Sequence, residues 1–211
     1  MNILYKKGHY LKLENRKEIK TIFNKTQYIS LQKFLSQNCE KLFDERIVNS
    51  IYLDTKNLDV YKSNITNDTE TSKYRFRYYE DEFNSIRYEK KTNFVGKKTK
   101  FFDENVKFKE NFNFPYIIDN LYLFPISIVK FKRNYYSYSN IRLTIDENIT
   151  FIKPVNKNIG FTKYNENKII VEQKILNSND DSIEKNLIFP SEKYSKFLKS
   201  IETLYPNEIV V

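Results

Sequence analysis

Six short segments of this chain place charged residues two positions apart, in most cases with uncharged residues between them. They are Glu18-Ile19-Lys20, Lys73-Tyr74-Arg75-Phe76-Arg77, Glu89-Lys90-Lys91, Lys98-Thr99-Lys100, Arg142-Leu143-Thr144-Ile145-Asp146 and Glu172-Gln173-Lys174. Residues i and i+2 of a β-strand point to the same face, so each segment predicts a strand with one charged face. Six such strands predict a shared polar interior. The simplest fold with that property is a closed antiparallel β-barrel lined with lysine, arginine and glutamate.

Length and composition indicate a single domain over residues 1–211, with a real hydrophobic core. No apolar run is long enough to span a bilayer, and the first residues lack the apolar core of a signal peptide. Cys39 and His9 are the only residues of their types, which argues against a disulfide, a cysteine metal cluster and a histidine-based catalytic pair. We therefore expect a cytoplasmic protein in which oxygen ligands bind any metal, as Mg²⁺ or Mn²⁺ prefers.

The basic character of the chain points to a polyanionic partner. Its formal net charge is +9, but the composition favours lysine and asparagine so strongly that the seven arginines are the more specific signal. Four of them, Arg75, Arg77, Arg133 and Arg142, fall in predicted strands with a charged face. A guanidinium offers phosphate oxygens a rigid fork that an ammonium cannot copy. A polar interior that also contains a few carboxylates can bind a triphosphate together with its divalent cation.

The remaining pattern predicts the order of the secondary structure. Strands are expected at residues 10–23, 47–54, 72–80, 84–92, 126–136, 140–147 and 167–176, with a further strand at Lys98 and Lys100. Helices are expected at 26–38 with Thr26 as the cap, near 58–64, once or twice within 103–125, and at 183–205. Loops are expected near 156–160 and 177–182. The glycine-rich motifs of P-loop and Rossmann proteins are absent from the sequence.

The order of the motifs resembles the VTC domain, the catalytic domain of the vacuolar transporter chaperone complex. The motifs are Arg16-x-Glu18-x-Lys20, Val48-Asn49-Ser50-Ile51-Tyr52-Leu53-Asp54-Thr55, Lys73-Tyr74-Arg75-Phe76-Arg77-Tyr78-Tyr79, Tyr88-Glu89-Lys90-Lys91, Phe131-Lys132-Arg133, Ile141-Arg142-Leu143-Thr144-Ile145-Asp146, Val171-Glu172-Gln173-Lys174 and Tyr194-Ser195-Lys196-Phe197. The resemblance covers about 10 to 205 and implies the antiparallel tunnel barrel of the triphosphate tunnel metalloenzymes, with flanking helices that include a C-terminal one. It also implies a polyphosphate polymerase, which uses Mn²⁺ or Mg²⁺ to transfer the γ-phosphate of ATP to a growing polyphosphate chain.

The resemblance also implies the site residues. The catalytic phosphate-binding residues would be Lys20, Arg75, Arg77, Lys91, Arg133, Arg142 and Lys196. Substrate contacts are expected from Lys73, Lys98, Lys100, Lys174 and Ser195, with either Lys98 or Lys100 as the phosphate ligand, and the metal ligand would be Glu172. Hydrolytic members of the superfamily begin with Glu-x-Glu-x-Lys, whereas this chain has Arg16 in place of the first acid, which favours a polymerase. The roles of Glu18 and Glu89 stay open.

Two other functions stay open beside the polymerase. One is a metal-dependent triphosphatase or nucleotidyl cyclase on the same barrel. The other is a domain that binds polyphosphate, nucleotide or RNA without catalysis, for which binding would depend steeply on salt and need no metal. The implied partners are ATP and inorganic polyphosphate, while nucleic acid is disfavoured because core packing explains the aromatic residues better than base stacking does. Protein partners, oligomeric state and the choice between Mn²⁺ and Mg²⁺ stay open.

Overall fold

The computed structural model describes residues 9–11, 17–66, 68–109, 111–139, 141–154, 162–175 and 188–209. The α-helices are α1 (Lys25–Asn38), α2 (Asp59–Thr66) and α3 (Lys196–Leu204). The strands are β1 (His9–Leu11), β2 (Lys17–Phe23), β3 (Glu40–Asp54), β4 (Glu70–Tyr79), β5 (Arg87–Phe94), β6 (Lys97–Asp103), β7 (Tyr116–Ile118), β8 (Leu121–Tyr138), β9 (Ile141–Ile152), β10 (Lys163–Asn165) and β11 (Ile169–Ile175). No helix of this described part is long and apolar enough to cross a bilayer.

One antiparallel sheet contains all the strands, in the order β1-β6-β5-β4-β3-β8-β9-β11-β2, with β10 beside β9 and β7 beside β8. The sheet curls into a barrel-like shape that brings β5 close to β2, the last strand of this order. Lys91 on β5 donates a 2.9 Å hydrogen bond to Glu18 on β2. The predicted antiparallel barrel with flanking helices is thus confirmed. Among the described residues no ladder joins β1 or β6 to β2, so backbone hydrogen bonds do not close the sheet.

The alternation of the strands separates a charged inner face from an apolar outer face, as predicted. On β4, Arg75 and Arg77 face the interior, whereas Phe76 is fully buried on the other side. The Phe76 ring packs against Tyr88 and Phe108, with ring centroids 5.7 and 5.4 Å away. Burial of this aromatic face fixes which side of β4 lines the interior.

Helix α1 covers the outer face of β9 and β11. Its Leu31 and Leu35 belong to a buried cluster with outward-facing residues of both strands, including Leu143. The helix begins at Lys25, one residue earlier than predicted, and Asn24 is its cap and forms a capping box with Gln27. The predicted cap, Thr26, is therefore wrong.

Residues 103–125 form no helix in the part that the structure describes, contrary to the prediction. Instead β7 and β8 form a hairpin in which Ile118 pairs with Leu121. The two loop residues, Asp119 and Asn120, have φ values of 49° and 60°. Positive φ at both positions is the mark of the two-residue turn that matches the twist of a hairpin, and Asp and Asn tolerate it.

The C-terminal helix is present but shorter than predicted. Within the described residues it begins at Lys196, after the irregular segment 188–195, whose Glu192 forms a bridge with Lys20 of β2. The side chain of Gln173, on the outer face of β11, anchors the start of this segment: its amide oxygen accepts from the backbone N–H of Ile188 and Phe189, and its Nε2 donates to the Phe189 carbonyl. Residues 183–187, the predicted loops near 156–160 and 177–182, and Arg16 lie outside the described residues.

Candidate active site

A cavity of about 770 Å³ occupies the interior of the curled sheet. Twelve of the thirteen predicted site residues line it, and they are Lys20, Lys73, Arg75, Arg77, Lys91, Lys98, Lys100, Arg133, Glu172, Lys174, Ser195 and Lys196. The thirteenth, Arg142, does not line it. The exposed Arg142 side chain lies over the ring of Tyr135, with its Cζ atom 5.5 Å from the ring centroid.

Glu89 is the centre of one cluster of cations. The carboxylate is 1% exposed and accepts hydrogen bonds from Nε and Nη2 of Arg75, the former at 2.7 Å, and from Lys100 at 3.2 Å. Arg77 is 3.9 Å away. Burial alone would raise the pKa of Glu89, but Arg75, Arg77 and Lys100 hold it well below its usual value. Glu89 is therefore an anion that fixes the direction of these side chains.

Asp146 has the same role for a second cluster. It is fully buried, and Arg133 donates to both of its oxygens in a bidentate pair, with Nη2 2.7 Å from Oδ2. Lys196 of α3 donates to the same Oδ2 atom. Burial favours the neutral acid, but Arg133 and Lys196 outweigh it and keep the pKa of Asp146 below its usual value. The charged form of Asp146 thus connects the sheet to the helix inside the cavity.

Sequence reasoning did not assign roles to several residues that orient the cations. The hydroxyl group of Tyr52 accepts from Arg75 at 3.4 Å, and that of Ser50 accepts from Arg77 at 3.3 Å. Both acceptors lie directly opposite these arginines on β3. Both residues lie at even-numbered positions of the predicted strand 47–54, and this alternation alone would have predicted that they share one face of that strand. Lys90, by contrast, points outward and pairs with Asp119 at 2.5 Å.

Two lysines of the cavity have no carboxylate among the described residues that hydrogen-bonds to them. Lys73 donates to Ser195 Oγ at 3.1 Å, and Lys20 donates to the Tyr194 carbonyl at 2.7 Å. Burial, with the nearby charges of Lys20 and Lys91, lowers the pKa of Lys73 to about 7. Burial lowers the pKa of Lys20 to about 8, although Glu172 acts in the opposite direction. A bound anion would relieve this repulsion, so the interior is built to receive one.

Glu172 and Glu18 are the carboxylates suited to a divalent cation. Both line the cavity, and Lys174 lies between them, 3.3 Å from Glu172 and 3.5 Å from Glu18. Burial would raise the pKa of Glu172, but Lys174, Arg133 and Lys20 hold it well below its usual value, so the carboxylate is charged. No group of three or more His, Cys, Asp or Glu side chains suited to a metal occurs among the described residues. Two carboxylates fit Mg²⁺ or Mn²⁺ only as an ion shared with substrate phosphates.

The lowered pKa of Lys73 predicts a specific pH dependence of anion binding. In the free protein Lys73 loses its proton as the pH rises through about 7. Above that pH, binding of a phosphate chain must be accompanied by proton uptake, so affinity falls by up to about tenfold per pH unit. Titration calorimetry with tripolyphosphate should show this slope in the wild-type protein.

A Lys73→Arg variant is the matched control for this experiment, because its guanidinium does not titrate in this range. The ligand's own titration affects both proteins equally, and the difference between the two slopes therefore isolates Lys73. Equal slopes for the two proteins would contradict the lowered pKa of Lys73.

The family model of the VTC domain matches residues 15–122 and 109–205. Solved structures with a similar fold include a putative adenylate cyclase from Vibrio parahaemolyticus, which is 11% identical with a TM-score of 0.45 over 85% of this chain and 83% of that one. A protein of Pyrococcus horikoshii is 12% identical, with a TM-score of 0.46 over 92% of both chains.

A third similar structure is a putative adenylyl cyclase from Hippeastrum, whose description reports a dominant triphosphatase activity. It is 13% identical, with a TM-score of 0.48 over 87% of this chain and 94% of that one. A search of curated proteins found no significant match. The family match, in contrast, extends over nearly the whole chain. The chain therefore belongs to the VTC domain family.

Proposed function

We propose that this domain is a polyphosphate polymerase that transfers the γ-phosphate of ATP to the end of a growing inorganic polyphosphate chain. The observation that supports it is the charge of the cavity, which twelve lysine and arginine side chains and four glutamates line. This excess of cations suits a ligand with several phosphates. The residues come from six strands, α3 and the segment before α3, so they contact the ligand from several sides and displace much of its water.

The chain's own residues supply positioning and charge. Arg75, Arg77 and Arg133 present buried guanidinium groups whose directions Glu89 and Asp146 fix before the substrate binds. Such prearranged donors stabilise the negative charge on the transferred phosphoryl group without reorganisation. A terminal oxygen of the acceptor chain attacks the γ-phosphorus in line, a new P–O bond forms, and the bond to ADP breaks. No covalent protein nucleophile is needed.

Glu172, with Glu18 beside it, is the residue that would hold Mn²⁺ or Mg²⁺. When bound, the ion supplies positive charge to the phosphate oxygens. Lys174, which lies between the two carboxylates, screens their mutual repulsion and helps to keep both ionised. The assignment of the metal ligands thus rests on two carboxylates that share one lysine among the cations of the cavity.

Incubation of the purified protein with ATP and Mn²⁺, and in parallel with Mg²⁺, tests this function. We expect a long, acid-labile polymer on a gel, with ADP as the other product, and no polymer when a chelator removes the metal. Release of free phosphate without polymer would instead identify a triphosphatase, and a cyclic nucleotide would identify a cyclase. Binding of ATP or polyphosphate with no turnover under any metal would identify a binding domain.

A further inference from the structure

Three arginines lie just beyond the cavity, and each is directly opposite a cation that lines it. Arg46 on β3 pairs with Arg133 on β8, Arg87 on β5 pairs with Arg77 on β4, and Arg142 on β9 pairs with Lys174 on β11. Directly opposed residues of an antiparallel pair point to the same face of the sheet. The three arginines therefore extend the charged inner face past the cavity, where their side chains become exposed.

The partners of the three arginines in these like-charged pairs have their own acids, but the arginines themselves have little compensation within the described part of the chain. Side chains of like charge directly opposite one another destabilise a sheet. Arg46 and Arg142 form no ion pair with the described acidic residues. Arg87 has only Glu89, at 3.4 Å, and Glu89 already serves Arg75, Arg77 and Lys100. A polyanion bound along this edge would supply a countercharge to all three arginines.

The choice of arginine at these positions is also informative. Only seven of the 36 basic residues are arginine, yet three line the cavity and three more lie at its edge. Two of the arginines at the edge stack on aromatic rings: the Cζ atom of Arg87 is 5.3 Å from the Phe102 centroid, and Arg142 lies over Tyr135. Stacking orients a guanidinium plane and leaves its N–H edge free to bind oxygen atoms in pairs.

We propose that Arg46, Arg87 and Arg142 form a second phosphate-binding subsite, the arginine rim, which binds the units of a linear polyphosphate that extend beyond the cavity. The inference rests on the proposed function, because it takes the cavity as the site of the reacting phosphates. A triphosphate is short enough to lie within the cavity alone, whereas a longer chain extends from the cavity to the rim. The rim thus makes affinity depend on the number of phosphates and favours long acceptors over short ones.

Binding measurements with two ligands of different length test the rim. Tripolyphosphate and a medium-length linear polyphosphate are titrated into the wild-type protein and an Arg46→Gln/Arg87→Gln variant. We expect the long chain to lose at least about tenfold in affinity in the variant, since charge-assisted hydrogen bonds to two phosphates are lost. The slope of log affinity against log salt should also fall by about 1.4, at roughly 0.7 per phosphate contact, as for single-stranded polyanions. Tripolyphosphate should bind both proteins nearly equally.

The matched control is a Lys33→Gln/Lys62→Gln variant, which removes the same charge from exposed positions on α1 and α2. An equal loss of long-chain affinity in this control, or none in the arginine variant, would overturn the rim while the cavity keeps its function. The rim would also be overturned if a single-stranded RNA of the same charge lost as much affinity in the arginine variant as the polyphosphate does, since the surface would then be a general polyanion site. Absence of tripolyphosphate binding in the wild type would refute the proposed function, and the rim with it.

Discussion

Replacing Glu172 by glutamine is expected to abolish metal-dependent turnover while the cavity still binds a triphosphate. The substitution keeps the size of the side chain and removes the charge that a divalent cation needs. Phosphate binding should change little, because the cavity loses one negative charge and keeps all of its cations. Turnover of ATP with Mn²⁺ and calorimetric binding of tripolyphosphate without metal measure the two effects separately.

Glu202→Gln is the matched control for the metal ligand. Glu202 also lines the cavity, but its carboxylate is half-exposed and pairs with Lys199 at 3.5 Å, one turn apart on α3. Such an exposed pair contributes little, so this variant should retain its turnover. Full activity of the Glu172→Gln protein would exclude Glu172 as the metal ligand. Loss of tripolyphosphate binding together with turnover would instead assign it a structural role.

Asp146→Asn is expected to cause the largest loss of stability among single substitutions in the cavity. Arg133 and Lys196 would remain buried with their common counterion removed, and breaking a buried ion pair on one side costs about 3–5 kcal/mol. The change in the free energy of unfolding is measured by urea denaturation. Asp119→Asn removes the charge partner of Lys90 at the surface but keeps an oxygen that can accept from the Tyr74 hydroxyl group, and it should cost less than about 1 kcal/mol.

Polyphosphate binding provides a second test of the role of Asp146. An anion bound in the cavity supplies the charge that Asp146 provided, so it should raise the melting temperature of the Asp146→Asn protein more than that of the wild type. An equal rise in both proteins would mean that the ligand does not reach Arg133 and Lys196. Wild-type stability in the Asp146→Asn protein would show that the buried cations do not need this acid.

The fold was predictable wherever a strand has one charged and one apolar face. The alternation on β4 and β11 fixed their inner faces correctly, because burial of residues such as Phe76 permits only one register. Prediction failed at 103–125, where Asp119-Asn120 forms a tight turn between two strands. Phenylalanine and asparagine without a clear period give no signal that separates such a hairpin from a short helix.

The candidate site was predictable in its cations but not in the acids that orient them. Rare arginines in a lysine-rich chain were a local signal, which led to Arg75, Arg77 and Arg133. That Asp146 lies opposite Arg133 depends on the register of β8 and β9, which shifts by a bulge between Lys130 and Lys132. No feature of either segment alone gives this shift. Arg142 lies outside the cavity for a different reason, because it is the second residue of β9, at one end of the strand.

The side chain of Gln173 connects β11 to the segment that leads into α3. Its amide forms three hydrogen bonds with the backbone of Ile188 and Phe189, from which the chain continues to Lys196. Its neighbour on β11, Glu172, points to the opposite face. A displacement of β11 would therefore be transmitted through this one amide group to the segment 188–195, which leads into α3. We therefore expect Glu172, the proposed metal ligand, and Lys196 of α3 to move together when the site opens or closes.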